Sequence, residues 1–539
     1  MSQSPLQPIH LLLPMSGQGT RFQKAGYTQP KPLIPVSGKP MIERLLSVFP
    51  ESWPTTAILA ENHFKTELPS VLKAVRPKII LKEIGQHQKG PGFALRSVLD
   101  TIPEDAPVLV SYCDYGMSWD PSHFEEFVRS TNCDACLVSY RGFHAHYLSP
   151  VPYAYSRMDG ERVVEVKEKG WFGNDRELEY ASCGAYYFRT AGLLRKALDE
   201  QDARELVLNG ESYTSLTVQA LLAADPKAHV RVFEIPYFYQ WGTPEDLEIY
   251  EYWSKTLRSY SRFQGTADSS FATEQVLMPM CGLGSRFTSI TPLPKPFIPI
   301  DSRPMYREAL ASLPKGKVGI VALKQHESFL NQSKGRADNV QYLDATPSGQ
   351  ALSVAAGLPL LKDDGDIIIS SCDHGIVLDP AVWKSFKTQS KADAAIFTVQ
   401  GFPGGKRKPN AYAWVEIENP KATFSPVRNV SVKKPISDKP EKDHLLVGTF
   451  WFKNKKVLQQ GLERLIAKDT RVNGEVYLDS IFNELIELGL KVEVIPLDGY
   501  INWGDPDSLA ESLYWQEVHF GRSYTRRPRF PGVVLNEKV

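Results

Sequence analysis

Short apolar runs that stop at a glycine or an aspartate recur along the chain. Ile9 to Leu13 and Gln275 to Met278 each precede a glycine-rich turn. Pro107 to Ser111 and Asp366 to Ser370 are β-branched or apolar runs that end at Cys-Asp. Runs of this length, bounded by turn residues, predict buried strands. Phe93 to Leu99 and Ala351 to Leu358 have helical spacing instead. The aromatic runs Tyr186-Tyr187-Phe188 and Phe450-Trp451-Phe452 read as core strands. Strands alternating with helices predict an α/β fold whose mixed, mostly parallel sheet carries helices on both faces.

The pattern occurs twice. LLLPMSGQGTRF from Leu11 returns as VLMPMCGLGSRF from Val276, and PKPLIPVSGKPM from Pro30 as PKPFIPIDSRPM from Pro294. VSYCDYGMSWDP from Val110 returns as ISSCDHGIVLDP from Ile369; NGESY and WGTPEDL return as NGEVY and WGDPDSL. The offsets are 265 residues from Gly17 to Gly282, 259 from Asp114 to Asp373, 264 from Glu211 to Glu475 and 262 from Trp241 to Trp503. Conserved order at near-constant spacing predicts a tandem duplication of a whole domain, because solenoid units run only about 20 to 50 residues. The expected organisation is a first copy over 1–262, a linker over 263–273, a second copy over 274–520 and a tail over 521–539. The linker is small and polar at Gly265 to Ser270, and the tail carries Arg526-Arg527-Pro528-Arg529, expected to be solvated.

Composition narrows the classes. The 539 residues include 62 Lys+Arg and 62 Asp+Glu, a formal net charge of zero, which argues against a general nucleic-acid binder. Hydrophobic residues make up 42% and charged residues 23%, ordinary globular usage. No run approaches the roughly 18 apolar residues of a membrane span, and residues 1–5 lack a basic stretch leading into an apolar core. Six cysteines are too sparse for a disulfide scaffold, so a reduced, cytoplasmic enzyme is expected.

The repeated blocks carry charge chemistry. Gly17-Gln18-Gly19-Thr20-Arg21 and Gly282-Leu283-Gly284-Ser285-Arg286 follow strands; glycines admit a sharp turn with exposed N–H groups, and arginine grips phosphate oxygens in pairs. Taken alone such a turn is equally a structural feature. Lys31 and Lys295, each between prolines, add a cation on a stiffened backbone and turn the reading toward a triphosphate site. Asp114 and Asp373 end strands, where open sheets bind ligands, and Mg²⁺ is usually held by one or two carboxylates plus phosphate oxygens. Asp120 and Asp379, before prolines, read as turn or cap residues.

On these motifs each half resembles the sugar-phosphate nucleotidyltransferase family, which includes glucose-1-phosphate thymidylyltransferases and UTP–glucose-1-phosphate uridylyltransferases. The resemblance covers nearly the whole chain, twice, and implies two tandem Rossmann-like domains. It implies that Gly17, Gly19, Thr20, Gly282, Gly284 and Ser285 bind nucleotide, as do Gly90 and Gly349 in the segments Gln88 to Gly92 and Thr346 to Gln350. Arg21, Lys31, Asp114 and Arg286, Lys295, Asp373 are the implied catalytic residues, with Mg²⁺ on Asp114 and Asp373. Lys169, Glu211, Lys433 and Glu475 are implied on the acceptor side. The first half is similar to members associated with bacterial capsule and surface-polysaccharide synthesis. Where relatives carry a second metal-binding aspartate, this chain has Gln240 and Asn502, amides that can ligate without charge or can simply hydrogen-bond a loop. The second half also lacks an equivalent of Gly26-Tyr27.

The implied reaction is attack of an acceptor phosphate oxygen on the α-phosphorus of a nucleoside triphosphate, with pyrophosphate leaving. The partners are a triphosphate and a phosphorylated sugar or similar metabolite, with no nucleic acid or membrane; the base, the acceptor and the subunit association are not readable. Two alternatives stand beside it. One copy could be catalytic and the other, with the second as candidate, regulatory or scaffolding. A glycosyltransferase is the remoter reading, because Asp114-Tyr115-Gly116 and Asp373-His374-Gly375 are not D-x-D motifs. Cys133-Asp134-Ala135-Cys136 reads as a buried reduced pair, and His144-Ala145-His146 as acceptor-side polarity or solvated surface. Trp241 and Trp503 could wall the acceptor pocket or pack in the core.

Overall fold

The computed structural model describes residues 7–149, 153–263, 270–333, 337–469, 471–472, 474–521 and 529–536. Its contacts divide the chain into two units, one reaching to Glu251 and joined by Phe520–Arg529, the other running from Tyr252 to His519 and joined by the residues from Phe530 on. The division falls inside the helix Pro244–Phe263, so residues 252–262, expected in the first copy, group with the second. The reason is packing: Tyr252 gives its hydroxyl hydrogen to Tyr500 O and accepts Tyr500 N–H, both at 2.9 Å. Of the expected linker, 264–269 lie outside the described residues, and Ala272 already begins a strand.

In the first unit four parallel strands lie in the order Ile80–Ile84, Thr55–Ala60, His10–Met15 and Val108–Ser111. Tyr180–Phe188 follows antiparallel, then Ala135–Tyr140, then Val230–Glu234. The alternation of strand side chains sends Leu11, Leu13, Ala57, Leu59 and Leu109 to one face and Leu12, Ile58, Val108 and Val110 to the other. Both faces of the three inner strands are buried, which is why these read as apolar runs, whereas the outermost, Ile80–Ile84, is partly exposed and carries Lys82 and Glu83. The hairpin Tyr155–Asp159/Arg162–Lys167 extends the sheet beside the start of Tyr180–Phe188.

The second unit repeats this order. Asn339–Leu343, Lys315–Leu323, Ala272–Met280 and Ile367–Ser370 run parallel; His444–Phe452 is antiparallel, followed by Ala394–Val399 and Val492–Pro496. The hairpin Ala413–Ile417/Val427–Val432 takes the place of the first unit's hairpin. Even the small ribbons recur: Tyr115–Ser118 pairs with Tyr237–Gln240, and His374–Val377 with Gly499–Asn502. One fold is built twice from one motif order.

The aromatic runs are buried strand residues, as expected, and Cys133 and Cys136 are buried free thiols. Trp241 belongs to the core under the glycine turn, with Phe22, Ile34, Val36 and Met41, so it packs rather than walling a pocket. His144 is buried with its ring 4.3 Å from that of Tyr140, and His146 Nε2 lies 2.8 Å from the Tyr140 hydroxyl. The pair is thus part of an aromatic cluster and not solvated surface, because the loop folds back onto Tyr140 and Tyr153. The tail expectation also needs correction. Arg529 pairs with Glu177 at 2.8 Å and lies over the Phe143 ring, while Phe530 is buried. Arg526, Arg527 and Pro528 lie outside the described residues. No helix among the described residues is long and apolar enough to cross a membrane.

Asp120 and Asp379 cap the helices Pro121–Thr131 and Pro380–Gln389, accepting N–H bonds from Ser122 and Ala381. Replacing either by Ala is expected to cost about 1 kcal/mol in urea unfolding and to leave ligand binding unchanged; loss of binding would assign them a role at the site.

Candidate active site

The site begins where the first strand ends. After His10–Met15 the chain turns through Ser16 to Gly19, and Gly19 sits in the left-handed region at φ 63°. A Cβ there would stand 3.2 Å from Lys31 Cβ, so glycine lets the lysine pass beneath the turn. The second copy repeats this with Gly284 at φ 64° against Lys295. The first positions, Gly17 and Gly282, have nothing within 4 Å of a built Cβ and face open space. Thr20, Arg21, Ser285 and Arg286 follow on exposed single turns of helix.

Lys31 and Lys295 are held in short 3₁₀ turns between prolines and reach the carboxylates of the next strand. Lys31 Nζ lies 2.6 Å from Asp114 Oδ2, and Lys295 Nζ 2.5 Å from Asp373 Oδ2. Lys31 also donates to the carbonyl of Gly242 at 3.2 Å. The ribbon after each aspartate closes the arrangement: Trp241 N–H donates to Asp114 O, and Trp503 N–H to Asp373 O. Burial pushes the Asp373 carboxyl up, but the Lys295 ammonium and then His374, whose Nδ1 is 3.6 Å away, hold it well below the usual carboxylate range.

The two amides differ. Gln240 gives its Nε2 to Asp246, and its Oε1 is buried with no hydrogen-bond partner among the described residues. Asn502 donates from Nδ2 to Tyr412 and Ser508, while Oδ1 accepts the Gly504 N–H at 2.8 Å. A Cβ on Gly504 would stand 3.0 Å from Asn502 Oδ1 and 3.3 Å from Asp373 Oδ2, so amide and carboxylate oxygens converge there. No group of three or more His, Cys, Asp or Glu among the described residues is arranged to hold a metal. One carboxylate with a neutral amide oxygen suits Mg²⁺, which keeps waters and takes phosphate oxygens. It does not suit an all-protein cage.

Gly90 and Gly349 owe their glycine to packing. At Gly90, φ 82°, a Cβ would lie 2.6 Å from Ser212 N; at Gly349 it would strike the Val476 backbone. Here the loop of Gly90 crosses that of Ser212, and the loop of Gly349 that of Val476. Gly92 N–H donates to Ser212 O and Ser212 N–H to Lys89 O; Ala351 N–H donates to Val476 O and Val476 N–H to Ser348 O. The loops carrying Gly90 and Glu211, and those carrying Gly349 and Glu475, are therefore one unit in each copy. Asn473 lies outside the described residues.

Lys169 and Lys433 share a feature invisible in sequence: both adopt left-handed backbone, at φ 54° and 59°. Lys169 Nζ donates to the Tyr213 hydroxyl at 2.7 Å, and Lys433 donates to Ala411 O while standing over the Tyr477 ring. Burial and then Glu211 push the Tyr213 hydroxyl up, and Arg21 acts against them, which brings the glycine turn and the acceptor side into one field. Burial lowers Lys433; Asp479 opposes that, and Arg286 adds to it. Sequence reading missed Glu168 and Asp479, which flank these lysines. Ser215 donates to Glu168 at 2.5 Å, and burial raises Glu168. Burial also raises Asp479, to about 6, against the pull of Lys433. Their signal was an acid adjoining a motif, too common to single out.

A glycine turn, a cation–carboxylate pair and two crossed loops thus lie at the carboxyl edge of the mixed sheet in each copy. Residues 13–170 match the family described as MobA-like NTP transferase domain, and the chain carries a nucleotidyltransferase domain over that span. Over 107 residues it is 30% identical to the bifunctional protein GlmU of Xanthomonas campestris pv. campestris, covering 20% of this chain and 22% of that one. Over 154 residues it is 25% identical to a putative mannose-1-phosphate guanyltransferase of Sulfolobus acidocaldarius, covering 28% and 42%. The chain thus spans about a fifth of the length of GlmU. Among solved structures, a nucleoside-diphosphate-sugar pyrophosphorylase from Vibrio cholerae aligns at 17% identity over 44% of this chain and 98% of its own, with a TM-score of 0.36. The inositol-1-phosphate CTP transferase of T. maritima aligns at 16% identity over 49% and 98%, also at 0.36.

Two outcomes follow at pH 7. Lys295→Met is expected to destabilise the second unit by about 1–3 kcal/mol, between exposed and buried pairs, and adding Asp373→Asn to recover most of it; equal loss in the double variant would deny the coupling. Lys433→Gly is expected to be about 1 kcal/mol more stable than Lys433→Ala in urea unfolding, since glycine adopts this backbone without the steric cost of a Cβ; the reverse order would refute the left-handed conformation.

Proposed function

We propose that each copy transfers a nucleotidyl group from a nucleoside triphosphate to a phosphorylated sugar or similar small metabolite, making an activated nucleotide-sugar. The observation that carries this reading is the lysine–aspartate pair beneath a glycine turn, kept in both copies. Retention of that pair in the second unit also favours two working sites over a passive second copy. An acceptor phosphate oxygen forms a bond to the α-phosphorus as the bond to the β-phosphate oxygen breaks, and pyrophosphate leaves. Both reactants are anions, so positioning and charge neutralisation supply the catalysis.

In the first copy the turn from Gly17 to Thr20 would receive the phosphates, and Arg21, exposed beside it, would stabilise the charge passing to pyrophosphate. Lys31 would exchange its bond to Asp114 for a phosphate oxygen. Lys169 would hold the acceptor phosphate, with Glu211 at the acceptor loop. Arg286, Lys295, Lys433 and Glu475 repeat these tasks in the second copy. Asp114 with Gln240, and Asp373 with Asn502, would hold Mg²⁺, which supplies a Lewis acid for the phosphate oxygens when bound. A cytoplasmic role in surface-polysaccharide synthesis accords with this reading.

The test is pyrophosphate release by the full chain, with Mg²⁺, across the common triphosphates and a panel of sugar phosphates. Arg21→Ala with Arg286→Ala is expected to lower kcat by about 10³-fold. Nucleotide-sugar consumption with glycosyl transfer and no pyrophosphate would overturn the proposal.

A further inference from the structure

The two copies hold their strand-end aspartate differently, through a paired exchange of residues. Tyr115 and His374 directly follow Asp114 and Asp373, and each pairs across its ribbon with the amide, Gln240 or Asn502. Ala185 and Thr449 occupy a second equivalent position, opposite Ser111 and Ser370 on the neighbouring antiparallel strand. Where the first copy has tyrosine and alanine, the second has histidine and threonine.

Tyr115 is buried, and its hydroxyl meets Ser111 Oγ at 2.7 Å. His374 is as deeply buried, but its shorter ring brings Nε2 only to 3.5 Å from Ser370 Oγ. Thr449 supplies the closer partner: its Oγ1 stands 2.7 Å from His374 Nε2 and 2.9 Å from Ser370 Oγ. Alanine in that place would leave a buried ring nitrogen short of a hydrogen bond, which is costly.

The exchange has its effect at the other side of the ring. With Nε2 engaged by Thr449, Nδ1 stands 3.6 Å from Asp373 Oδ1, while Lys295 takes Oδ2. A carboxylate only accepts, so the nitrogen facing it carries a hydrogen. The separation is longer than a hydrogen bond, as such contacts often are before substrate binds. The oxygen left to converge with Asn502 Oδ1 beside Gly504 is Oδ2. A tyrosine ring has only carbon where imidazole has Nδ1. Among the described residues, the one side-chain hydrogen bond to Asp114 is that of Lys31 to Oδ2.

We infer that His374 is a positioning residue of the second copy: its Nδ1–H holds Asp373 Oδ1 and thereby aims Oδ2 at the position shared with Asn502, a support that Asp114 lacks. The contact stands on geometry alone; its consequence for Mg²⁺ and turnover rests on the nucleotidyltransfer reading above.

The experiment uses the full chain. Asparagine places its amide nitrogen where Nδ1 stands and glutamine where Nε2 stands, so the two substitutions separate the contact with Asp373 from that with Thr449. In urea unfolding without metal or nucleotide, the loss of midpoint from His374→Gln is expected to shrink in the Asp373→Asn background. The loss from His374→Asn is expected to be the same in both backgrounds. Pyrophosphate release is then followed against Mg²⁺ in the Asp114→Asn background, which leaves the second site. His374→Gln, and the first-copy pair His374→Tyr with Thr449→Ala, are expected to raise the half-saturating Mg²⁺ about tenfold or more, with triphosphate KM at saturating Mg²⁺ unchanged. His374→Asn is expected to keep the unaltered Mg²⁺ requirement. Losses that Asp373→Asn leaves unchanged for both variants, or a Mg²⁺ requirement raised as much by His374→Asn as by His374→Gln, would give the ring a packing role alone and overturn the inference. The unfolding comparison needs no turnover, so it decides the contact by itself. No pyrophosphate from the unaltered chain with any substrate pair would overturn the nucleotidyltransfer reading separately.

Discussion

An ammonium and a carboxylate, brought together at the end of two neighbouring parallel strands, organise each half of this protein. Lys31 meets Asp114 and Lys295 meets Asp373 at hydrogen-bond distance. Neither side chain could be left there alone, because a partly buried charge without a partner is costly. Around that requirement the other parts take their places. Prolines deliver the lysine, a left-handed glycine lets it pass under the turn, and the ribbon after the aspartate is tied to its carbonyl through Trp241 or Trp503. In the proposed reaction the lysine and the carboxylate would transfer their bonds to phosphate and metal.

The two crossed loops near the pair are built on a different principle. Two hydrogen bonds join the loop of Gly90 to that of Ser212, and the second copy repeats them between Ser348, Ala351 and Val476. The two loops in each copy are thereby held in one register. Beside them a lysine is kept in strained backbone in both halves, a conformation costing about 1–3 kcal/mol that persists only where the surroundings impose it. Both halves keep the strain and the cation.

Much was legible in the sequence because backbone needs and charge needs leave residue-type traces. Strands buried on both faces read as unbroken apolar runs; a turn over a lysine demands glycine; a cation on stiff backbone shows as a lysine between prolines. Repetition of those traces at near-constant offset predicted both the fold class and its duplication. Asp120 and Asp379, read as caps, cap helices by bonds to N–H groups two residues on.

What the sequence alone determined was the order of strands, turns and charged residues, since these depend on neighbours along the chain. Tertiary structure decided which of those residues meet. It put the division of the units inside a helix, because Tyr252 bonds to the backbone of Tyr500, nearly 250 positions away. It buried His144 in aromatic packing and fastened Arg529 to Glu177 across 352 residues. It gave Gly90 a packing role against Ser212 and left the Gln240 and Asn502 oxygens in different states. These outcomes turn on distance and desolvation in the folded chain, which no spacing along the sequence expresses.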